Sequence, residues 1–308
     1  MTFKPTWEEI VTVSEPIPYD DLTTKIAKKR GSRPKVEDHR PELYSLICDF
    51  WTRNMQNVAI ARDGDLRDAM QSSDPLAVAR MVGQIGGFNA KYVVDQIHFE
   101  EGKKTLRLAL GHVGYSNIVG THQQAVVDPE FRERIMQAGL EDFADPNIYF
   151  ANGMGVCAVV YGFERGDKPF VVVGKRSDKV AIYPETRHVF GGFMNVDEEK
   201  GGVDFVKQTR REIQAEGGVP SERVGGGSFL GIIRQTPSRI PEAIGMVPVY
   251  LPPTKLLRAW KDKAPGKYEH SDLEIVKLGE LPDYLREHGP TMVPSGAAAL
   301  TKFLEHYS

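Results

Sequence analysis

Cysteine is almost absent from this chain of 308 residues: there are two, Cys48 and Cys157, far apart and each flanked by apolar residues. That scarcity excludes a disulfide-dense secreted scaffold, and the flanks read as those of small buried thiols. An excess of one charge is also missing. The net charge of -3 and the isoelectric point near 6.3 argue against a dedicated nucleic-acid binder, which would be strongly basic. A local basic pocket for a small anion remains compatible with that balance. No run approaches the roughly 18 apolar residues of a membrane span. The opening Met1 to Glu9 has no apolar core of the kind a signal peptide needs. The expected setting is therefore the cytoplasm, with no membrane or nucleic-acid partner and with a homodimer left open. Internal repeats and low-complexity segments are lacking as well. What is present is ordinary globular composition, 41% hydrophobic and 26% charged, in a chain long enough for two packed domains.

The first forty residues read as irregular, with Pro5, Pro16, Pro18 and Pro34, then Pro41 directly after them, and a basic cluster from Lys25 to Lys35. Helical spacing follows from Pro41 to Met55, and Ser72 to Pro75 resembles the entry to a short helix through Met81. Tyr92 to Phe99 and Lys104 to Leu110 alternate apolar and polar residues around a Glu101-Gly102-Lys103 turn, which predicts a hairpin. A helix is predicted over Phe131 to Ala138, and Asp145-Pro146-Asn147 breaks the chain. The domain boundary is placed there, giving 1–148 as a smaller α+β domain with an irregular leading segment and 149–308 as the second domain. The second half opens with Val-rich strands at 156–162 and 170–174, and another strand ends at His188 to Gly192. A helix is predicted over 203–216, with Val203, Val206, the stem of Arg210 and Ile213 on one face and Gly217-Gly218 as its stop. Strands at 228–234, 243–251 and 273–278, with helices near 254–260 and 294–306, complete a mixed α/β sandwich.

The informative stretch runs from Gly191-Gly192 through a polar loop to Arg211-Glu212-Ile213-Gln214-Ala215-Glu216-Gly217-Gly218-Val219. Positions i and i+4 of a helix lie one above the other, so Glu212 and Glu216 project from the same face. Like charges there repel unless a cation sits between them, and a hard divalent ion bound together with phosphates is such a cation. The alternative is a pair of solvated glutamates bonded to Lys207, Arg210 or Arg211.

That stretch resembles the signature of the Nudix hydrolases, Gly-x5-Glu-x7-Arg-Glu-U-x-Glu-Glu-x-Gly-U, with U a bulky aliphatic residue. Gly192, Arg211, Glu212, Ile213, Glu216, Gly218 and Val219 match by type. The loop is five residues longer than in the signature, Val203 stands at its first glutamate, and Ala215 replaces the first of its paired glutamates. Further runs (Thr105 to Thr121, Tyr149 to Val156, Val173 to Ser177, Phe229 to Arg234 and Val293 to Gly296) are similar to the branch that hydrolyses UDP-glucose and UDP-galactose. That branch has an N-terminal domain and an expanded loop.

The resemblance implies a Nudix-type α/β/α sandwich with a mixed sheet. It implies Mg²⁺ or Mn²⁺ held by Glu212 and Glu216, with a Gly191 or Gly192 carbonyl as a further ligand. Arg211 would pair with Asp204, or with Glu198 and Glu199, in place of the missing glutamate. The reaction would be attack of water on a P–O–P linkage in a small nucleotide substrate. Glu269 is the first choice of general base, ahead of Glu242 and Asp272. Lys175, Arg176 and Arg187 would contact phosphates, and Tyr115, Asn117 and Thr121 the sugar or base. His188, just before the glycine turn, is either a structural histidine or within reach of substrate. Two other readings stay open: a nucleotide-binding or regulatory protein that does not cleave, and a hydrolase of ADP-ribose or dinucleotides.

Overall fold

A computed structural model describes residues 4–28, 34–59, 91–164, 169–178, 180, 182–194 and 204–307. The expected helix at 72–81, the Glu198 and Glu199 partners and Val203 lie outside them.

The centre of the molecule is an eight-stranded mixed sheet. Its strands are β1 (Trp7–Pro18), β5 (Gly155–Phe163), β6 (Pro169–Arg176), β7 (Arg187–His188), β8 (Phe190–Phe193), β9 (Ser228–Gln235), β10 (Pro241–Pro248) and β11 (His270–Lys277). The main path runs β1-β9-β10-β5-β6-β11, with β10 parallel to β5 and the other neighbours antiparallel. A second sheet of three strands is ordered β2-β4-β3, from β2 (Thr23–Lys28), β3 (Lys91–Glu100) and β4 (Thr105–Val113).

Both faces of the large sheet are covered, which is why its inner strands are apolar on every residue rather than on alternate ones. Along β5, Val156, Ala158 and Val160 enter one buried cluster, while Cys157 and Val159 enter another. The longer helices are α1 (Pro41–Ala59), α2 (Pro129–Phe143), α3 (Phe205–Gly217), α4 (Pro253–Lys263), α5 (Leu281–His288) and α6 (Pro294–Tyr307). Phe205 and Ile213 of α3 and Leu256 and Trp260 of α4 join the first cluster; Leu281 and Leu285 of α5 and Ala297 to Leu300 of α6 join the second. The result is an α/β/α sandwich. Leu106, Leu108 and Leu110 of β4 are buried in the first cluster, so the two sheets share a core. A separate cluster joins Leu43 and Ile47 of α1 to Phe131, Ile135 and Ala138 of α2 and to Tyr149 and Phe150.

The described part of the leading segment holds two strands, β1 and β2. Residues 7–18 form β1 and pair with β9, placing Val11, Val13 and Ile17 in the core. Prolines are compatible with that position because β1 is the sheet's edge, where a missing N–H can face outward. A division at 148/149 therefore separates β1 from the sheet it completes.

The helix expected over 203–216 is α3. Asp204 is its N-cap, accepting from Lys207 N at 2.8 Å, and Gly218 ends it in the left-handed conformation at φ 64°. Its buried face differs from the expected one. Phe205, Gln208, Thr209, Ile213 and Glu216 point inward, Val206 is half-buried, and Arg210 is exposed with its guanidinium 3.3 Å from the Gly225 carbonyl.

Candidate active site

The large sheet splits at one end. β5 and β6 pair only over Val160–Phe163 and Pro169–Val172. Beyond that point β5 turns its Gly155–Ala158 edge to β8, while Gly174 and Lys175 of β6 pair with β7. Residues 187–193 thus run through the opening, and β11 closes the far side with His270 opposite Arg176. Parting strands leave a crevice that the chain can line with polar groups, as at the switch points of open α/β sheets.

Helix α3 lies over β8 and brings both glutamates to the two glycines. The Glu212 carboxylate sits on Gly192: a Cβ added there would meet its Cδ at 2.8 Å and its oxygens at 2.9 and 3.0 Å. Glu212 also accepts a hydrogen bond from the Gln208 side-chain amide, one turn back. Glu216 is buried. Its Oε1 accepts from Gly191 N–H at 3.2 Å, and its Oε2 lies 2.6 Å from His270 Nε2, the two side chains being 1% and 0% exposed. The alternative of a solvated, lysine- or arginine-paired couple therefore does not describe Glu216.

Electrostatics in the crevice follow from burial. Loss of water raises the Glu216 carboxyl well above its ordinary range, and the charge of Glu269 pushes the same way, against Arg176 and the Gly191 N–H. Burial, then Arg176, lowers His270 to about 4, so the ring is neutral at pH 7. His188 is buried, with its Nδ1 in the space beside Gly296 of α6, and is lowered by burial first, then by Arg176 and His270. Arg176 is thus the cation felt by Glu216, His188 and His270, and by Glu242 as well. Its side chain is half-buried, and its Nε is shielded from solvent with no hydrogen-bond partner among the described residues.

The other residues singled out in the sequence divide clearly. Glu269, in the turn Lys267–Glu269, is half-buried and close enough to act on Glu216 and His270. Ser177 holds that turn, N–H to the Glu269 carbonyl at 2.9 Å and hydroxyl to the Tyr268 carbonyl at 2.6 Å. Glu242 is buried on β10, hydrogen-bonded to Gln235 at 2.7 Å, and its carboxyl is raised by burial. Asp272 is exposed and accepts from its neighbour Leu273 N. Lys175 is exposed. Arg187 forms an ion pair with Glu274 at 3.0 Å, and Tyr284 donates to the same carboxylate. Thr121 is buried, its hydroxyl donating to the Asn117 carbonyl at 2.7 Å and accepting from Ala151 N at 3.2 Å. The Tyr115 side chain lies outside the described residues. Arg211 is exposed, and no ion pair links it to a described residue. Its expected partner Asp204 caps the helix instead, because the first free N–H groups of α3 need an acceptor. Sequence reasoning missed His270 and Gln208. Gln208 carries a local signal, four residues before Glu212; His270 carries only its place beside Glu269 in the Tyr-Glu-His-Ser-Asp loop.

The residues fit one divalent ion. Glu212 is a half-buried carboxylate set against Gly192, and each Glu216 oxygen has one contact and a second lone-pair direction left. These are hard oxygen donors, suited to Mg²⁺ or Mn²⁺. Among the described residues no three acids, histidines or cysteines are grouped as a ready-made metal cage. No described helix is long and apolar enough to cross a membrane.

No protein-family model and no curated protein matches the chain. Among solved structures it is similar to the Nudix hydrolase RenU from M. smegmatis, at 13% identity and TM-score 0.35, over 50% of this chain and 85% of that one. It is similar to an Ap4A hydrolase from C. elegans at 17% identity and TM-score 0.32, over 48% and 94% of the two chains. An ADP-ribose pyrophosphatase from Streptococcus suis gives 13% identity and TM-score 0.30, over 50% and 90%.

Proposed function

We propose that the split end of the sheet is the active centre of a divalent-metal-dependent hydrolase. Its substrate would be a nucleoside diphosphate linked to another group, with an NDP-sugar such as UDP-glucose favoured by the sequence resemblance. One observation carries the reading: two carboxylates a helical turn apart both address consecutive glycines of β8, Glu212 at Gly192 and Glu216 at Gly191.

Glu212 and Glu216 would hold the ion, with a Gly191 or Gly192 carbonyl as a further ligand. When bound, Mg²⁺ or Mn²⁺ would neutralise charge on the phosphate oxygens and lower the pKa of the attacking water. Arg176 presents at the crevice a guanidinium whose Nε has no partner among the described residues, a group suited to phosphate oxygens. Glu269 would take the proton from water; its neighbourhood with Glu216 and His270 supports that role over the buried Glu242 and the exposed Asp272. Hydrolysis of the P–O–P bond would release a nucleoside monophosphate and a phosphorylated group.

A second reading, nucleotide binding without cleavage, is favoured by a specific feature. Ala215 stands where the resembled signature has a glutamate, so α3 offers two carboxylates to the crevice rather than three. The test is a panel: UDP-glucose, ADP-ribose, NADH and dinucleoside polyphosphates, each with Mg²⁺ or Mn²⁺, assayed for nucleoside monophosphate. Turnover abolished by EDTA and in Glu216→Gln supports the hydrolase, and the substrate turned over best names the class. Tight binding with no product across the panel supports the second reading.

A further inference from the structure

We infer that His270 is a positioning residue, which fixes the Glu216 carboxylate from the side opposite the Gly191 N–H and thereby sets the affinity of the centre for its divalent ion. The inference rests on the hydrolase reading above.

The carboxylate is gripped at both ends, by Gly191 N–H at Oε1 and by His270 Nε2 at Oε2, 3.2 and 2.6 Å away. A side chain so held cannot rotate without losing a buried hydrogen bond, and a pre-oriented ligand gives up less freedom when it binds. The ring is itself held. It stands edge-on to Phe190, centroids 5.6 Å apart at 61°, and its Nδ1 side occupies the place that a Cβ on Gly174 would take. Phe190 and Gly191 are neighbours on β8, so one strand supplies both the wall for the ring and the donor for the acid. Register brings His270 there, since β11 begins at that residue, opposite Arg176 of β6.

The imidazole makes no other hydrogen bond among the described residues. Its Nδ1 is buried without a partner, a cost that plain packing would avoid with a leucine or phenylalanine. What the ring provides that a hydrocarbon would not is the hydrogen bond to Glu216.

The test is a Mn²⁺ titration of the full chain, followed by the electron paramagnetic resonance of the free ion, with a thermal melt of each protein. His270→Gln keeps an N–H donor, and His270→Leu keeps bulk alone. Gly174→Ala changes no site side chain but crowds the ring, and it carries the comparison if His270→Leu does not fold. His270→Leu and Gly174→Ala should bind Mn²⁺ about 10- to 100-fold more weakly than wild type, the range for loss of an outer-shell partner. His270→Gln should stay within a few-fold, whatever the order of melting temperatures. Wild-type affinity in His270→Leu or Gly174→Ala, or equal loss in the Gln and Leu variants, overturns this inference alone. Absence of Mn²⁺ binding by the wild-type chain overturns it together with the metal reading.

Discussion

The Glu212 carboxylate rests directly on Gly192, in the volume where any other residue would carry its Cβ. The neighbouring glycine is confined differently: a Cβ on Gly191 would meet the Val156 carbonyl oxygen at 2.6 Å and the Cys157 Cβ at 2.7 Å. A carboxylate at the end of a flexible side chain can move aside, whereas strand backbone cannot. Gly192→Ala should therefore melt within a few degrees of wild type and lose about tenfold or more in turnover as Glu212 is displaced. Gly191→Ala should lose about 1 to 3 kcal/mol of stability from overpacking. Denaturant unfolding and activity, measured on both variants, check the contrast.

Glu216→Gln separates stability from function. Burial disfavours the ionised acid, so an amide of the same shape removes that cost while keeping a group that can bond to Gly191 and His270. Turnover should fall by about 100-fold or more, on the order seen when one group that stabilises transition-state charge is removed. The melting temperature should not fall. A clear drop in stability would mean that the charge itself holds the fold together.

Most of α3 was legible in the sequence because its signals are local: periodic apolar residues and a terminal glycine pair. Its two carboxylates and the glycines beneath them lie within 26 residues of one another, from Gly191 to Glu216, so one segment displayed them all. The strands β5 and β6 were legible from their valine runs. β1 was not, since its prolines mimic a loop and only pairing with β9, more than 200 residues away, gives an edge strand its meaning. His270 is 54 residues from Glu216, and no local pattern joins them. Arg187 illustrates the converse: its sequence position suited a phosphate ligand, yet register sets it beside Glu274.

The recovered role of β1 has a direct consequence. A fragment starting at residue 149 lacks Val11, Val13 and Ile17, each a buried aliphatic contributing about 1.5 to 3 kcal/mol. That sum rivals the whole stability of a typical domain, and removing β1 also bares the β9 edge. The fragment should be insoluble or aggregate on gel filtration under conditions in which the full chain elutes as a folded species. A soluble, cooperatively folding fragment would contradict the assignment of β1 to this core.

Acid should destabilise the fold through His188. Its folded pKa lies well below the ordinary value of 6.5, so below about pH 6.5 the unfolded chain takes up a proton that the native state refuses. Stability attributable to this residue is complete above that pH and declines as pH falls towards the folded value, by up to about 1.4 kcal/mol per pH unit. The raised carboxyls of Glu216 and Glu242 act in the opposite sense, which makes a difference measurement necessary. Between pH 6.5 and 4.5, His188→Gln should show a shallower loss of stability than wild type in denaturant titrations. Parallel curves would exclude a neutral buried His188.

Phosphorus NMR of the wild-type chain with UDP-glucose and Mg²⁺ tests the central proposal most directly. Decay of the two diphosphate resonances into a pair of phosphomonoester signals, absent with Glu212→Gln, is the expected result. Diphosphate signals that persist while equilibrium dialysis shows the nucleotide bound would contradict hydrolysis of this substrate and point to a protein that holds the nucleotide intact.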